Sequence, residues 1–151
     1  MKKNIFEIKL KKGLGEVNFG SSPEDVFKIL GEPQEVENLE MDDDNETTIT
    51  HYLDKELALF FINSQKPCLE CIESSNRDTI LYDKKVFLLS ECEIINLMKE
   101  NAYDNYELET EVWGERRLTF EDAMIDFYFD DKHLSVISWG VLINEKGEIS
   151  E

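Results

Sequence analysis

Cys68 and Cys71 bracket Leu69 and Glu70, a spacing used by redox-active thiol pairs and by half of a tetrahedral zinc site. Either chemistry needs both sulfurs on one side of the chain. The surrounding residues alternate as a strand, in which positions three apart point to opposite faces, so one metal or disulfide is not expected to use both. Zinc would need further ligands, and His51 and His133 are the only histidines, with Cys92 the one remaining cysteine. No metal and no cofactor is therefore expected, and Cys71 reads as a small core residue. His51 is expected on a half-buried face and His133 at the start of a strand after a turn. Met41-Asp42-Asp43-Asp44-Asn45-Glu46 has the acids of a calcium loop, but Thr47 stands where the sharp turn wants glycine and Leu53 where the bidentate glutamate belongs. Gly13 and Gly15 lack the rest of a dinucleotide fingerprint, and there is no phosphate loop or nucleophile elbow. With no catalytic motif, an enzyme is the least favoured reading.

Thirty-four Asp and Glu against sixteen Lys and Arg leave a formal charge of −18. Such a field repels phosphate backbones and anionic lipid, which argues against nucleic acid and membrane, and it attracts basic proteins. Three cysteines, and a start in which Glu7 and Lys9 interrupt any apolar run, are what a cytoplasmic chain without a signal peptide would show. Nine Phe, five Tyr and two Trp supply a core. A chain of 151 residues is expected to form one domain spanning 1–151 without metal or disulfide staples.

The elements that must position these side chains show a repeat in the sequence. Ser22-Pro23-Glu24-Asp25 has a capping serine, proline at the first helical position and an acid at the third, and Gly31-Glu32-Pro33 stops the helix. Val26, Phe27, Ile29 and Leu30 supply its apolar residues. Ser90-Glu91-Cys92-Glu93 repeats the cap, with Ile94, Leu97 and Met98 behind it and an end near Asn101. The strand patterns at Leu57–Asn63 and Leu69–Glu73 match Met124–Asp130 and Leu134–Ser138. Tyr106–Trp113 adds an alternating strand and Ile5–Leu10 another. The expected fold is α+β: two tandem helix-plus-antiparallel-strand repeats, about 16–76 and 84–140, forming one sheet with both helices packed on one face.

The stretch Gly20-Ser21-Ser22-Pro23-Glu24-Asp25-Val26-Phe27-Lys28-Ile29-Leu30-Gly31-Glu32-Pro33 resembles a segment of the helix-then-sheet fold shared by two groups. These are the tandem-repeat β-lactamase inhibitor proteins and the small lipoprotein subunit of the outer-membrane β-barrel assembly machine. The resemblance implies a protein that works by binding another protein. Unlike them, this chain shows no lipidated cysteine, no signal peptide and no paired cysteines.

Alternation in the predicted strands indicates where such binding would occur. Tyr106, Leu108 and Val112 fall on one face, and Glu107, Glu109, Glu111 and Trp113 on the other. Ile125, Phe127 and Phe129 likewise oppose Asp126, Tyr128 and Asp130. Matching the two halves places Phe61 with Tyr128, and Tyr52 with Thr119. The expected partner site is the face away from the helices, made of Tyr52, Phe61, Glu107, Glu109, Glu111, Trp113 and Tyr128. The expected function is a cytosolic protein-binding module, an inhibitor or toxin-neutralising immunity protein acting on a basic target. The alternatives are a homo-oligomeric scaffold, including a homodimer through the same aromatics, and a small-ligand-binding domain.

Overall fold

The computed structural model describes residues 6–40, 46–63, 66–111, 114–144 and 148–150. The chain opens with β1 (Ile8–Lys9), β2 (Gly13–Leu14) and β3 (Val17–Asn18), a small antiparallel sheet of its own. Helix α1 (Pro23–Leu30) follows, then β4 (Glu35–Glu40), β5 (Glu46–Tyr52), β6 (Leu57–Asn63) and β7 (Pro67–Ser74). The hairpin β8 (Ile80–Leu81) and β9 (Lys84–Lys85) leads through a 3-10 turn into α2 (Glu91–Glu100). After it come β10 (Glu107–Thr110), β11 (Arg116–Phe120), β12 (Ile125–Asp130) and β13 (His133–Gly140), and a last hairpin of β14 (Leu142–Ile143) and β15 (Ile149–Ser150).

Local chemistry accounts for the helix boundaries. Ser22 Oγ accepts from the Asp25 N–H at 3.2 Å and Pro23 occupies the first turn. Gly31, at φ 85°, takes the positive-φ position that ends α1. In α2 the capping box is complete, with the Glu93 N–H donating to Ser90 Oγ at 3.2 Å and the Ser90 N–H to Glu93 Oε1 at 3.0 Å. Only Val26 and Leu30 of α1 are buried, whereas Phe27 and Ile29 are exposed. Tight hairpins form where two successive residues take positive φ, Tyr82 and Asp83 between β8 and β9, and Asp131 and Lys132 between β12 and β13.

The main sheet has eight antiparallel strands in the order β10-β11-β12-β13-β7-β6-β5-β4. Of the described residues 49% lie in strands and 18% in helices, which corrects the expected fold. The chain is mostly sheet, and it is not a pair of helix-plus-strand repeats whose helices cover a sheet. Helix dimensions give the reason. Eight strands at about 4.8 Å spacing make a sheet roughly 35 Å wide, while two short helices, each about 10 Å across, cover little more than half of that. The rest of the inner face is filled from elsewhere: Ile8, Leu14, Val17 and Phe19 from the N-terminal sheet, and Leu81, Val86 and Phe87 from the segment before α2. Strand β4, Glu-Val-Glu-Asn-Leu-Glu, has glutamate at three of its six positions, and these charges hide its alternation.

The inner face is one continuous apolar layer. Leu108, Leu118, Phe127, Ile137, Ser74, Leu57 and Tyr52 stand opposite one another across seven strands, and Phe120, Ile125, Trp139, Ile72, Leu59 and Thr50 form the row beside them. Trp139, 1% exposed, donates its indole N–H to the Gly13 carbonyl at 2.9 Å and so ties β13 to the N-terminal sheet. Gly13 cannot be replaced there, since a Cβ would sit 1.9 Å from the Val17 carbonyl oxygen. Arg116 holds α2 in place through both carboxylate oxygens of Glu91, at 3.1 and 3.0 Å.

Trp139→Phe keeps most of the ring packing and removes the buried N–H. The expected loss is about 1–3 kcal/mol, the cost of an orphaned buried carbonyl, read as a lower urea midpoint at unchanged slope. An unchanged midpoint would show that Gly13 does not depend on the indole.

Candidate functional site

The side of the main sheet away from the helices carries a different pattern. One row crosses all eight strands as Glu107, Thr119, Asp126, Ser138, Glu73, Ala58, His51 and Glu35. It contains four carboxylates, two hydroxyls and an imidazole, with no lysine or arginine. The centre of the row is built from short side chains. A second row runs Glu109, Arg117, Tyr128, Val136, and a third Gly140, Cys71, Phe60, Ile49, Glu37. Arg116 and Arg117 are the only lysine or arginine residues in the eight strands, and only Arg117 faces this side, where its Nη2 donates to Glu109 Oε2 at 2.8 Å.

Two β-bulges shape the face. One lies in β7 between the Phe60–Cys71 and Phe61–Leu69 pairs, leaving Glu70 as the extra residue. It returns Cys68, paired with Ile62, to the same face as Cys71, which corrects the expectation that the two thiols oppose each other. Cys71 also lies on this outer face and not in the core, its Sγ 3.3 Å from Ser138 Oγ. The bulged Glu70 carbonyl accepts from the Val141 N–H at 3.0 Å, and a Cβ on Gly140 would meet that carbonyl at 2.5 Å, so glycine is required. The second bulge, in β13, leaves Ser135 as the extra residue, and its hydroxyl donates to the Tyr128 carbonyl at 3.0 Å.

The residues expected to form a partner site separate into three groups. Glu107, Glu109 and Tyr128 lie on the outer face, with Glu111 just past the end of β10. Tyr52 and Phe61 do not: both are fully buried on the inner face, and Tyr52 Oη donates to the Gly31 carbonyl at 2.9 Å. The cause is a slip of one residue. Matching Phe61 to Tyr128 exchanges the faces of a period-two element, whereas the pairing sends Leu57, Leu59 and Phe61 inward and Ala58, Phe60 and Ile62 outward. Trp113 and the acidic stretch 41–45 lie outside the described residues. Glu73, Ser138, His51 and Glu35 were missed as site residues. Of these Ser138 had a signal, a polar position between Ile137 and Trp139.

Electrostatics single out the middle of the face. Burial raises the Glu73 carboxyl above its usual range, partly offset by His51, and burial likewise raises Glu70. The Cys71 thiol is pushed up to about 11, first by burial and then by the neighbouring acids, so it is a protonated hydrogen-bond partner at neutral pH and not a nucleophile. Tyr128 is raised by burial and Asp126, with Arg117 opposing. His51 Nε2 is 2.9 Å from Glu37 Oε1, and Thr119 donates to Asp126. A shallow hollow of about 440 Å³ is bordered by Glu70, Cys71, Asp126, Ser138 and Gly140, and another of about 280 Å³ by His51, Ala58, Glu73 and Val136. Among the described residues no group of three or more His, Cys, Asp or Glu is placed to hold a metal ion. No helix among them is long and apolar enough to cross a membrane.

No family model, curated protein or solved structure matches the chain.

A carboxyl raised on folding favours the folded state at pH below its unfolded value, and that contribution is lost as pH rises through the folded value. Glu73→Gln is therefore expected to raise the melting temperature at neutral pH and to make no difference in acid, where the wild-type group is protonated. A melting temperature lowered at neutral pH and unchanged in acid would show that the carboxylate is held favourably. Thiol reactivity gives a separate check. Cys92 is exposed, Cys68 buried and Cys71 half-buried, so a thiol reagent should modify one site quickly in the native protein and all three only after unfolding. Rapid modification of Cys71 would contradict its protonated, shielded environment.

Proposed function

We propose that the chain is a cytosolic protein-binding module, an inhibitor or toxin-neutralising immunity protein, that docks a basic target on the outer face of its main sheet. The observation that carries this reading is the cross-strand row Glu107, Thr119, Asp126, Ser138, Glu73, Ala58, His51 and Glu35. Its middle carboxylates, Asp126 and Glu73, are half-buried, those at its two ends are exposed, and a single arginine lies near them. A lysine or arginine brought over Ser138 and Ala58 meets Asp126 and Glu73 together, with no large side chain blocking approach. A cation placed there offsets, by its attraction, the desolvation that raises Glu73, so binding gains from a carboxylate that is unfavourably held in the free chain. Blocking a basic surface in this way needs no chemistry of the binder's own, consistent with the missing catalytic motifs. The likeness of residues 20–33 to a segment of two groups that bind proteins points the same way through that segment alone, since the repeat architecture is not shared.

A homodimer through this face is disfavoured by the same row. Two copies meeting face to face would bury like charges against each other, on a chain already at −18.

The target is accessible by comparing what wild type and a Glu73→Gln, Asp126→Asn variant retain from a lysate of the native host, followed by kinetics on the purified protein. The expected outcome is a basic protein whose activity is titrated to completion by the wild-type chain. Its association should slow with salt and as pH falls through the carboxylate range, and the variant should bind about tenfold or more weakly. A target bound equally by both forms would place the site elsewhere on the molecule.

A further inference from the structure

The eight-stranded sheet is open, and its two edges are β10 and β4. An edge strand presents unpaired backbone donors and acceptors, a template for one more strand. The two edges are not equivalent. Strand β10 has four residues and is cut short by a turn in which the Glu111 N–H donates to the Glu115 carbonyl, and its Glu109 is held by Arg117. Strand β4 has six residues, all those from Glu35 to Leu39 are exposed, and among the described residues none of its main-chain groups bonds to backbone on the side away from β5. Glu35, Glu37 and Leu39 point to the outer face, continuing its acidic row to the rim, with Glu37 bonded to the His51 imidazole and to no lysine or arginine, while Val36 points to the inner face and is 56% exposed.

We infer that β4 is a docking edge for an extended basic segment of a partner protein, which adds a ninth strand beside it. This deepens the reading above, on which it rests, by naming how a basic target engages. The occupant follows from the chemistry of the edge. Lysines or arginines on one face of the incoming strand stand opposite Glu35 and Glu37, and apolar side chains on its other face cover Val36, while main-chain hydrogen bonds extend the ladder. A second copy of the same edge would set these glutamates against one another, so the charge that admits a basic strand also excludes self-pairing.

The test uses a short peptide of alternating lysine and valine, its fully N-methylated counterpart of the same charge, and the intact chain. Anisotropy should show the unmethylated peptide binding at low salt, with about tenfold or more lost on methylation because the ladder donors are gone. Glu35→Gln together with Glu37→Gln should weaken binding by about fivefold and flatten its salt dependence. Hydrogen exchange should slow at β4 amides. Equal affinity of the two peptides, or no binding of either, overturns the proposal. Slowed exchange in β7 and β13 with none in β4 overturns the edge but leaves face docking standing. Sedimentation of the free chain as a dimer with protected β4 amides would make the occupant a second copy, and that too overturns it.

Discussion

The pairing of β13 with β7 is the contact on which the rest of the structure depends. Strands β4 to β7 form one antiparallel meander and β10 to β13 another, and these two strands are where they join. Ile137 meets Ser74 and Trp139 meets Ile72 on the inner side, so the largest buried side chain lies at the seam. The same strand reaches the N-terminal sheet through the Trp139 indole. Without that seam each meander would expose one more open edge and half an apolar face, a state that four strands with one short helix do not stabilise well.

The seam also sets the chemistry of the outer face. Gly140 is opposite Cys71 and Ser138 opposite Glu73, so small side chains occupy the line along which the halves meet. At Gly140 the size is imposed by the Glu70 bulge, whose carbonyl comes too close for a Cβ. A packing constraint on one strand thus produces a low, acid-lined saddle in the middle of the sheet. Arg117 cannot neutralise it, being engaged with Glu109 on the row beside it.

Much of the local structure was legible in the sequence and less of its assembly. The serine caps at Ser22 and Ser90 mark both helix starts because capping uses neighbouring residues only. Leu57–Asn63 and Ile125–Asp130 are legible as strands because their apolar density is high. The fold class was misjudged because well-capped helices are conspicuous in a sequence out of proportion to the surface they cover. Strands β2, β3 and β4 carry almost no periodic signal of their own, since long-range pairing defines them, whereas β1 lies within the strand expected at Ile5–Leu10. Tyr52 and Phe61 were placed on the wrong face because a period-two element converts a one-residue slip into a complete reversal. Cys68 and Cys71 were set on opposite faces by the same arithmetic, which a bulge invalidates and alternation alone does not reveal.

Charge distribution connects these points to function. An inner face packed with aromatic and aliphatic side chains supplies the stability that allows carboxylates to be concentrated on the opposite side. Those carboxylates are not spread evenly around the sheet: the eight strands hold two arginines, and both are already committed, Arg116 to the helix start at Glu91 and Arg117 to Glu109. The remaining acids, from Glu107 at one edge to Glu35 at the other, have no further lysine or arginine in these strands, and His51, against Glu37, is the one imidazole in their row. Glu73 is the most informative of these, because folding removes part of its water and offers only the weak compensation of His51. A group left in that condition lowers the stability of the free chain while a cation from outside would offset its lost hydration, which is the physical basis of the proposed docking of a basic partner.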